Sequence, residues 1–148
     1  MKLRRATMDD AIDVLAWRND PKTIAMSKTP GAISQAEHLR WFAKTIEDPS
    51  RAIFIASEGT RKLGMIRFDR SNGAWLVSIN VAPSERGKGY AYPALDAAIR
   101  LLTTTIGPCA ISAEIRHDNL ASIRIFEKCG FQLNGTEGDF LHWIRVVD

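Results

Sequence analysis

Val81-Ala82-Pro83-Ser84-Glu85-Arg86-Gly87-Lys88-Gly89-Tyr90-Ala91 joins an apolar, alternating run to a helical one. Two glycines and two cations lie at the junction, and the first amides of a helix have no carbonyl to bond within it. A strand that becomes a helix through such a loop is an anion site, because free N–H groups and the positive end of the helix dipole point the same way. Glycine lets the backbone approach a phosphate closely, and Arg86 and Lys88 add charge. The stretch therefore reads as a loop that holds a pyrophosphate. It is not a Walker loop, since Lys88 precedes Gly89 rather than Ser or Thr. Nor is it a dinucleotide fingerprint, since Gly87-x-Gly89 runs on to Pro93-Ala94 without a third glycine. Gly87-x-Gly89 alone would also suit a plain glycine-rich turn.

Downstream, Asn119-Leu120-Ala121-Ser122-Ile123-Arg124-Ile125-Phe126-Glu127-Lys128-Cys129-Gly130-Phe131 predicts a capped amphipathic helix. Asn119 suits the N-cap, and Leu120, Ile123, Ile125 and Phe126 form an apolar stripe. Gly130 gives a left-handed stop, and Phe131 folds back on the helix. The two segments together resemble the motifs of the GNAT superfamily of acyl-CoA-dependent N-acetyltransferases. Arg86-x-x-Gly89-x-Ala91 is similar to its coenzyme A loop, Gln/Arg-x-x-Gly-x-Gly/Ala. The Asn119 segment is similar to its later Asn-x-x-Ser/Ala helix, which ends in Glu-Lys-x-Gly-Phe. The resemblance covers most of the chain.

The 148 residues, 45% hydrophobic and 25% charged, suit one globular domain, 1–148, able to bury a core without staples. No run is long enough to span a bilayer, and Met1-Lys2-Leu3-Arg4-Arg5 does not open a signal peptide. Cys109 and Cys129 lack metal spacing and read as packing residues, so no metal site is expected and a reducing cytoplasm is the default. The net charge of +3 comes from dispersed cations, without the aromatic-basic interleaving of single-strand binders. Nucleic acid and membrane are not expected as partners; an anionic cofactor and a small-molecule amine are, and a homodimer is left open.

The element order follows from periodicity and punctuation. Leu3–Ala6 is a strand. Thr7 caps a helix through Ile12, Val14, Leu15 and Trp17, which Pro21 ends, and a loop with Lys28, Pro30 and Gly31 follows. Ser34-Gln35-Ala36-Glu37 is a capping box opening a helix with Leu39, Trp41, Phe42 and Ile46, stopped by Asp48-Pro49. Strands at 52–56, 63–69 and 74–81 are joined by hairpin turns at Glu58-Gly59 and Asn72-Gly73. The anion loop leads into a helix through Leu95, Ala98, Ile99 and Leu102, with Pro93 near its first turn. Gly107-Pro108 breaks it, residues 110–115 form a strand, and after the Asn119 helix come strands at 131–133 and 141–147. This order, β-α-α-β-β-β-α-β-α-β-β, predicts an α/β (α+β) chain rather than a regular βαβ repeat. The resemblance implies the GNAT fold: a mixed, mostly antiparallel central sheet of about seven strands with helices on both faces.

The resemblance also implies roles. Acetyl-CoA is the acyl donor. Main-chain groups of Ile79 and Val81 hold its pantetheine arm, one N–H serving as an oxyanion donor. Arg86, Gly87, Lys88, Gly89, Tyr90 and Ala91 take the pyrophosphate, and Asn119, Ser122 and Phe126 complete the cofactor site. Many relatives carry a glutamate on the strand before the loop, but Trp75-Leu76-Val77-Ser78-Ile79-Asn80-Val81 has no carboxylate. Glu114 is then the candidate base, alternating with Ser112 and Arg116 on one strand face; the alternative is a solvated residue paired with Arg116 or Arg67. His117 and His142 are secondary candidates. Many relatives have a tyrosine acid where Phe126 stands; phenylalanine cannot protonate a thiolate. The Ser122 hydroxyl on the same helix face either donates or simply binds the thiol end, and a thiolate can also leave without an acid.

Trp17-Arg18-Asn19 resembles two branches, one acting on ribosomal-protein N-termini and one on amino groups of nucleotide-linked sugars. The Ser-x-x-Glu-His-Leu helix and short closing hairpin favour the sugar-nucleotide branch, whose phosphates suit a basic protein. Trp17 by itself also reads as core. The loop from Lys22 to Ala32 and the turn from Asn134 to Asp139 are expected to flank the acceptor. A non-catalytic acyl-CoA-binding regulator is the rival from another class.

Overall fold

A computed structural model describes residues 1–148. Seven strands form one sheet: β1 (Lys2–Arg5), β2 (Arg51–Glu58), β3 (Arg61–Ser71), β4 (Ala74–Val81), β5 (Cys109–Arg116), β6 (Gln132–Glu137) and β7 (Phe140–Val147), in the order β1-β2-β3-β4-β5-β7-β6. All pairs are antiparallel except β4 with β5, so the mixed, mostly antiparallel sheet is as expected. Five helices cover it: α1 (Ala11–Arg18), α2 (Pro21–Met26), α3 (Gln35–Glu47), α4 (Ala91–Ile106) and α5 (Leu120–Lys128). None is long and apolar enough to cross a membrane.

The apolar run of β2 explains the two-layered covering. Ala52, Phe54 and Ala56 pack with α4, α5 and Trp143, whereas Ile53 and Ile55 pack with Val14, Trp17 and Phe42 of α1 and α3. A strand buried on both faces reads as continuous rather than alternating hydrophobicity. Trp17 is core, as one of its two readings held. Ile12 and Leu120, assigned to helical stripes, are instead exposed, because only part of each short helix meets the sheet.

Local signals set the connections. Asn72 and Gly73 both have positive φ, 51° and 78°, as the tight β3–β4 hairpin requires. Gly130 has φ 88°; its N–H donates to the Glu127 carbonyl and that of Phe131 to the Phe126 carbonyl, both at 3.0 Å, which is a Schellman stop. Phe131 then stacks edge-on against Phe126, with ring centroids 5.0 Å apart. Pro93 is the third residue of α4, where its missing N–H removes no intrahelical bond. Pro21 corrects the sequence reading. It begins a helix rather than ending one, because Asp20 accepts from the Lys22 and Thr23 amides as N-cap and proline is favoured at the first helical position.

Asp10 is fully buried and accepts from Arg4 at 2.7 and 2.8 Å and from the Thr7 amide at 2.8 Å, with Lys62 at 2.9 Å. Burial pushes its pKa up, but the hydrogen bonds from Arg4, Lys62 and Thr7 outweigh burial and hold it well below the usual carboxylate range. The stabilisation is present above the unfolded carboxylate's titration near pH ~4 and is lost as pH falls toward the folded value. Asp10→Asn is expected to cost on the order of 2–3 kcal/mol at pH 7, since Arg4 keeps solvent contact. The gap in urea midpoint between wild type and variant should be smaller at pH 3 than at pH 7, without closing.

Candidate functional site

β4 and β5 pair only at Ala74–Leu76 with Ala110–Ser112. Beyond that point the strands splay, and a cleft of about 1100 Å³ opens between them. It reaches both faces of the sheet. On the α4/α5 face its wall is Ile79, Val81, the loop from Arg86, and Asn119, Ser122 and Phe126 of the α5 region. On the α1–α3 face it is lined by Arg18, Lys22, Met26, Lys28, Trp41, Arg67 and Glu114.

The anion loop has the expected backbone. Gly87 and Gly89 adopt φ 76° and 81°, a region open to glycine and strained for other residues. The amides from Gly87 through Tyr92 find no acceptor within the chain, and they converge at the N-terminus of the 16-residue helix α4. That is a nest of donors with the helix dipole behind it. Gly64 sets the position of β4 beside it: a Cβ there would lie 2.6 Å from the Asn80 carbonyl oxygen and 3.0 Å from the Val81 Cα.

The loop's cations behave differently from expectation. Arg86 turns to α2, where Nη2 meets Asp20 Oδ2 at 2.8 Å and Thr23 Oγ1 at 2.9 Å. Lys88 does not line the cleft and pairs with Glu85 at 3.1 Å; Glu85 is buried and also meets Arg61 at 3.2 Å. Both charges are thus internally compensated, and the main-chain N–H groups remain as the loop's unpaired donors. The Arg86 hydrogen bond holds Asp20 below its ordinary pKa.

Ile79, Val81, Arg86, Gly87, Gly89, Tyr90, Ala91, Glu114, Asn119, Ser122 and Phe126 all line this one cleft. Tyr90 accepts from Arg61 at 3.0 Å through its hydroxyl while its ring packs on the core. Asn119 caps α5, accepting from the Ser122 amide at 3.3 Å. The Ser122 hydroxyl has no partner in the chain, and Phe126 is buried. Glu114 sits on the β5 face opposite Ile111, Ala113 and Ile115, as alternation predicts. Its partner is neither Arg116 nor Arg67 but Lys28. Arg116 pairs with Asp118 and Asp139, and Arg67 with Asp69.

Neither secondary histidine candidate lines the cleft. His117 lies beside Asp139 at 3.9 Å, and His142, opposite Glu114 in the β5–β7 ladder, lies 3.4 Å from Glu137. None of the turn Asn134–Asp139 lines it either, because β6 is the far edge of the sheet; from that hairpin only Phe140 reaches the cleft. The Lys22–Ala32 segment does contribute, through Lys22, Thr23 and Met26–Thr29. Cys129 is buried, which pushes its thiol up to about 11, and Cys109 is half-buried with its pKa also raised; neither lines the cleft. No group of His, Cys, Asp and Glu side chains is arranged to hold a metal.

Sequence reasoning missed a second cluster. Arg18 donates to the Thr29 carbonyl at 2.8 Å, and Asn19 bonds both the N–H and C=O of Ile33, so the Trp17-Arg18-Asn19 segment pins the connection between α2 and α3. Arg18 has no carboxylate partner; burial and then the Arg67 charge lower its pKa. Arg67 lies over the Trp41 ring at 5.1 Å. The carboxylates lining the whole cleft are Glu85 and Glu114, so its α1–α3 side carries excess positive charge. In the sequence Arg67 stood out only as a possible partner of Glu114, and nothing local tied it to Arg18.

Comparison with known proteins places these features in context. Residues 1–132 match the family described as an acetyltransferase (GNAT) domain. The chain is 35% identical over 76 residues to the N-acetyltransferase YjdG of Bacillus subtilis (strain 168), a match taking in 51% of this chain and 45% of that protein. It is 26% identical to the acetyltransferase PseH of Campylobacter jejuni, over 87% of this chain and 81% of that protein. The fold matches a spermidine N-acetyltransferase from Vibrio cholerae, solved with CoA and spermine, at a TM-score of 0.89 and 19% identity, covering 99% of this chain and 95% of that one.

Proposed function

The chain belongs to the GNAT acetyltransferase family and is an acetyl-CoA-dependent N-acetyltransferase acting on amines; from that premise we propose that it is a single catalytic domain whose acceptor is an amino-sugar nucleotide. The observation that carries the acceptor is the charge of the cleft's α1–α3 side. Arg18, Lys22, Lys28 and Arg67 stand there against the one carboxylate, Glu114. Such a field attracts an acceptor bearing phosphates and repels a polycation such as the spermine bound by the Vibrio cholerae protein.

In this reading the pyrophosphate of acetyl-CoA lies on the amides of Gly87–Ala91 at the start of α4. Arg86 exchanges Asp20 for the phosphate, and Lys88 adds charge from the rim. The pantetheine arm runs along the free edge of β4, bonded by main-chain groups of Ile79 and Val81, with Tyr90, Asn119 and Phe126 shaping its walls. The thioester meets the acceptor where β4 and β5 part. Glu114 takes a proton from the ammonium, and the neutral amine attacks the thioester carbonyl carbon. A C–N bond forms, the nitrogen gives its second proton to solvent, the C–S bond breaks, and the thiolate takes a proton from the Ser122 hydroxyl, which solvent restores.

Thiol release from acetyl-CoA over an amine panel tests the acceptor. A uridine diphosphate amino sugar is expected to show a kcat/KM at least about ten-fold above spermidine and above a peptide with a free N-terminus, since each ten-fold is about 1.4 kcal/mol of differential binding. A peptide or polyamine turned over equally well would overturn the sugar-nucleotide assignment. Acetyl-CoA binding without any release would instead indicate the non-catalytic regulator.

A further inference from the structure

The partner of Glu114 in this structure is an amine of the protein itself. Lys28 lies in the connection between α2 and α3, and its Nζ forms an ion pair with Glu114 Oε2 across the cleft. The same ammonium lies 5.7 Å from the centroid of the Phe140 ring, which supplies a cation–π wall. The connection is tied to the C-terminal end of α1 by the Arg18 and Asn19 bonds to Thr29 and Ile33. An acceptor amine must reach the same carboxylate as an ammonium before it can lose its proton. Lys28 therefore has the chemistry, the charge and the position of the substrate's reacting group.

We propose that Lys28 occupies the acceptor amine's seat and is a self-acetylation site. The proposal rests on Glu114 as the base of the transfer reaction. With acetyl-CoA bound and no acceptor present, Glu114 takes the Lys28 proton and Nζ attacks the thioester carbonyl carbon. The Nζ–C bond forms, the C–S bond breaks, and the second Nζ proton passes to the thiolate, so that coenzyme A leaves as the thiol. Acetylation removes the positive charge. The product can no longer pair with Glu114, so that carboxylate is released while the cleft loses one of the cations that attract a phosphorylated acceptor. An incoming acceptor displaces the Lys28 ammonium and protects it.

The test uses the purified protein, acetyl-CoA and peptide mass mapping, after calorimetry has established that wild type and variants bind the cofactor; absence of binding would sink the transferase reading itself rather than this one. Lys28 is expected to gain an acetyl group at least about 100-fold faster than the other lysines, the scale of general-base and proximity effects. Excess free coenzyme A should suppress that acetylation and leave the slow reaction of other lysines untouched. Glu114→Gln separates this account from simple surface reactivity. An ion pair favours the charged, unreactive form of an amine, so a bystander lysine freed from Glu114 would acetylate faster. Under the proposal its acetylation instead falls to the level of the other lysines. Lys28 acetylation no faster than elsewhere, or unchanged or raised in Glu114→Gln, overturns it.

Discussion

Gly89→Trp is expected to abolish acetyl-CoA binding while leaving the chain folded. Gly89 has φ 81°, and a Cβ built on it meets nothing within 4 Å, so the fold tolerates the side chain sterically. The cost to stability is the left-handed conformation, about 1–2 kcal/mol, which lowers Tm by roughly 3–8 °C in a chain of this size. The cost to binding is far larger, because an indole would stand over the amides that receive the pyrophosphate. Calorimetry should show at least about a 1,000-fold loss of affinity, or 4 kcal/mol, with far-UV circular dichroism unchanged. Unaltered affinity would mean that the cofactor does not use this loop. Arg86→Glu should also weaken binding, for a different reason: it removes the cation and sets a second carboxylate against Asp20, the N-cap of α2.

Glu114→Gln is the second large effect. Glutamine keeps the shape and cannot accept the proton, so kcat should fall by about 100- to 1,000-fold, within the range of general-base catalysis, while the acetyl-CoA dissociation constant stays the same. The distinguishing readout is the pH dependence of kcat/KM. The variant, lacking a base, should gain rate with pH only as the free amine accumulates, so its profile should differ from that of wild type. An unaltered profile in the variant would assign the proton transfer to another group.

The features legible in the sequence are those whose physics is local. The α5 helix is bounded by Asn119 at one end and Gly130-Phe131 at the other, within one short segment, and the structure forms both the cap and the Schellman stop. Asn72-Gly73 specifies its hairpin through two adjacent positive φ angles. The anion loop is legible because two glycines precede a helix. What escaped the sequence was pairing across long separations. Arg86 binds Asp20, and Lys28 binds Glu114; each pair is joined only when the sheet brings α2 and its following connection over β4 and β5. The α2 helix was missed for a related reason. Pro21 is read as a stop unless Asp20 is recognised as a cap, and two amides bonding to that carboxylate decide the matter.

The division of labour between the two sheet faces follows from the same topology. Where β4 and β5 stop pairing, after Leu76 and Ser112, each loses a hydrogen-bonding neighbour and a passage opens between faces. The loop donors stand on one side and the basic cluster of Arg18 and Arg67 on the other, with Glu114 at the parting. In the proposed reading a donor enters from the α4 side and an acceptor from the α1–α3 side, and Arg86, bonded to Asp20 and Thr23 of the α2 region, joins the two.

The central claim is that the amides from Gly87 through Ala91 clasp the diphosphate of acetyl-CoA. Amide nitrogen and proton chemical shifts of the labelled protein, recorded through a titration with acetyl-CoA, test it most directly. The largest changes should fall on Gly87, Lys88, Gly89, Tyr90 and Ala91, with downfield proton shifts as those groups gain acceptors. Saturating cofactor that leaves these resonances in place, while others move, would contradict the account.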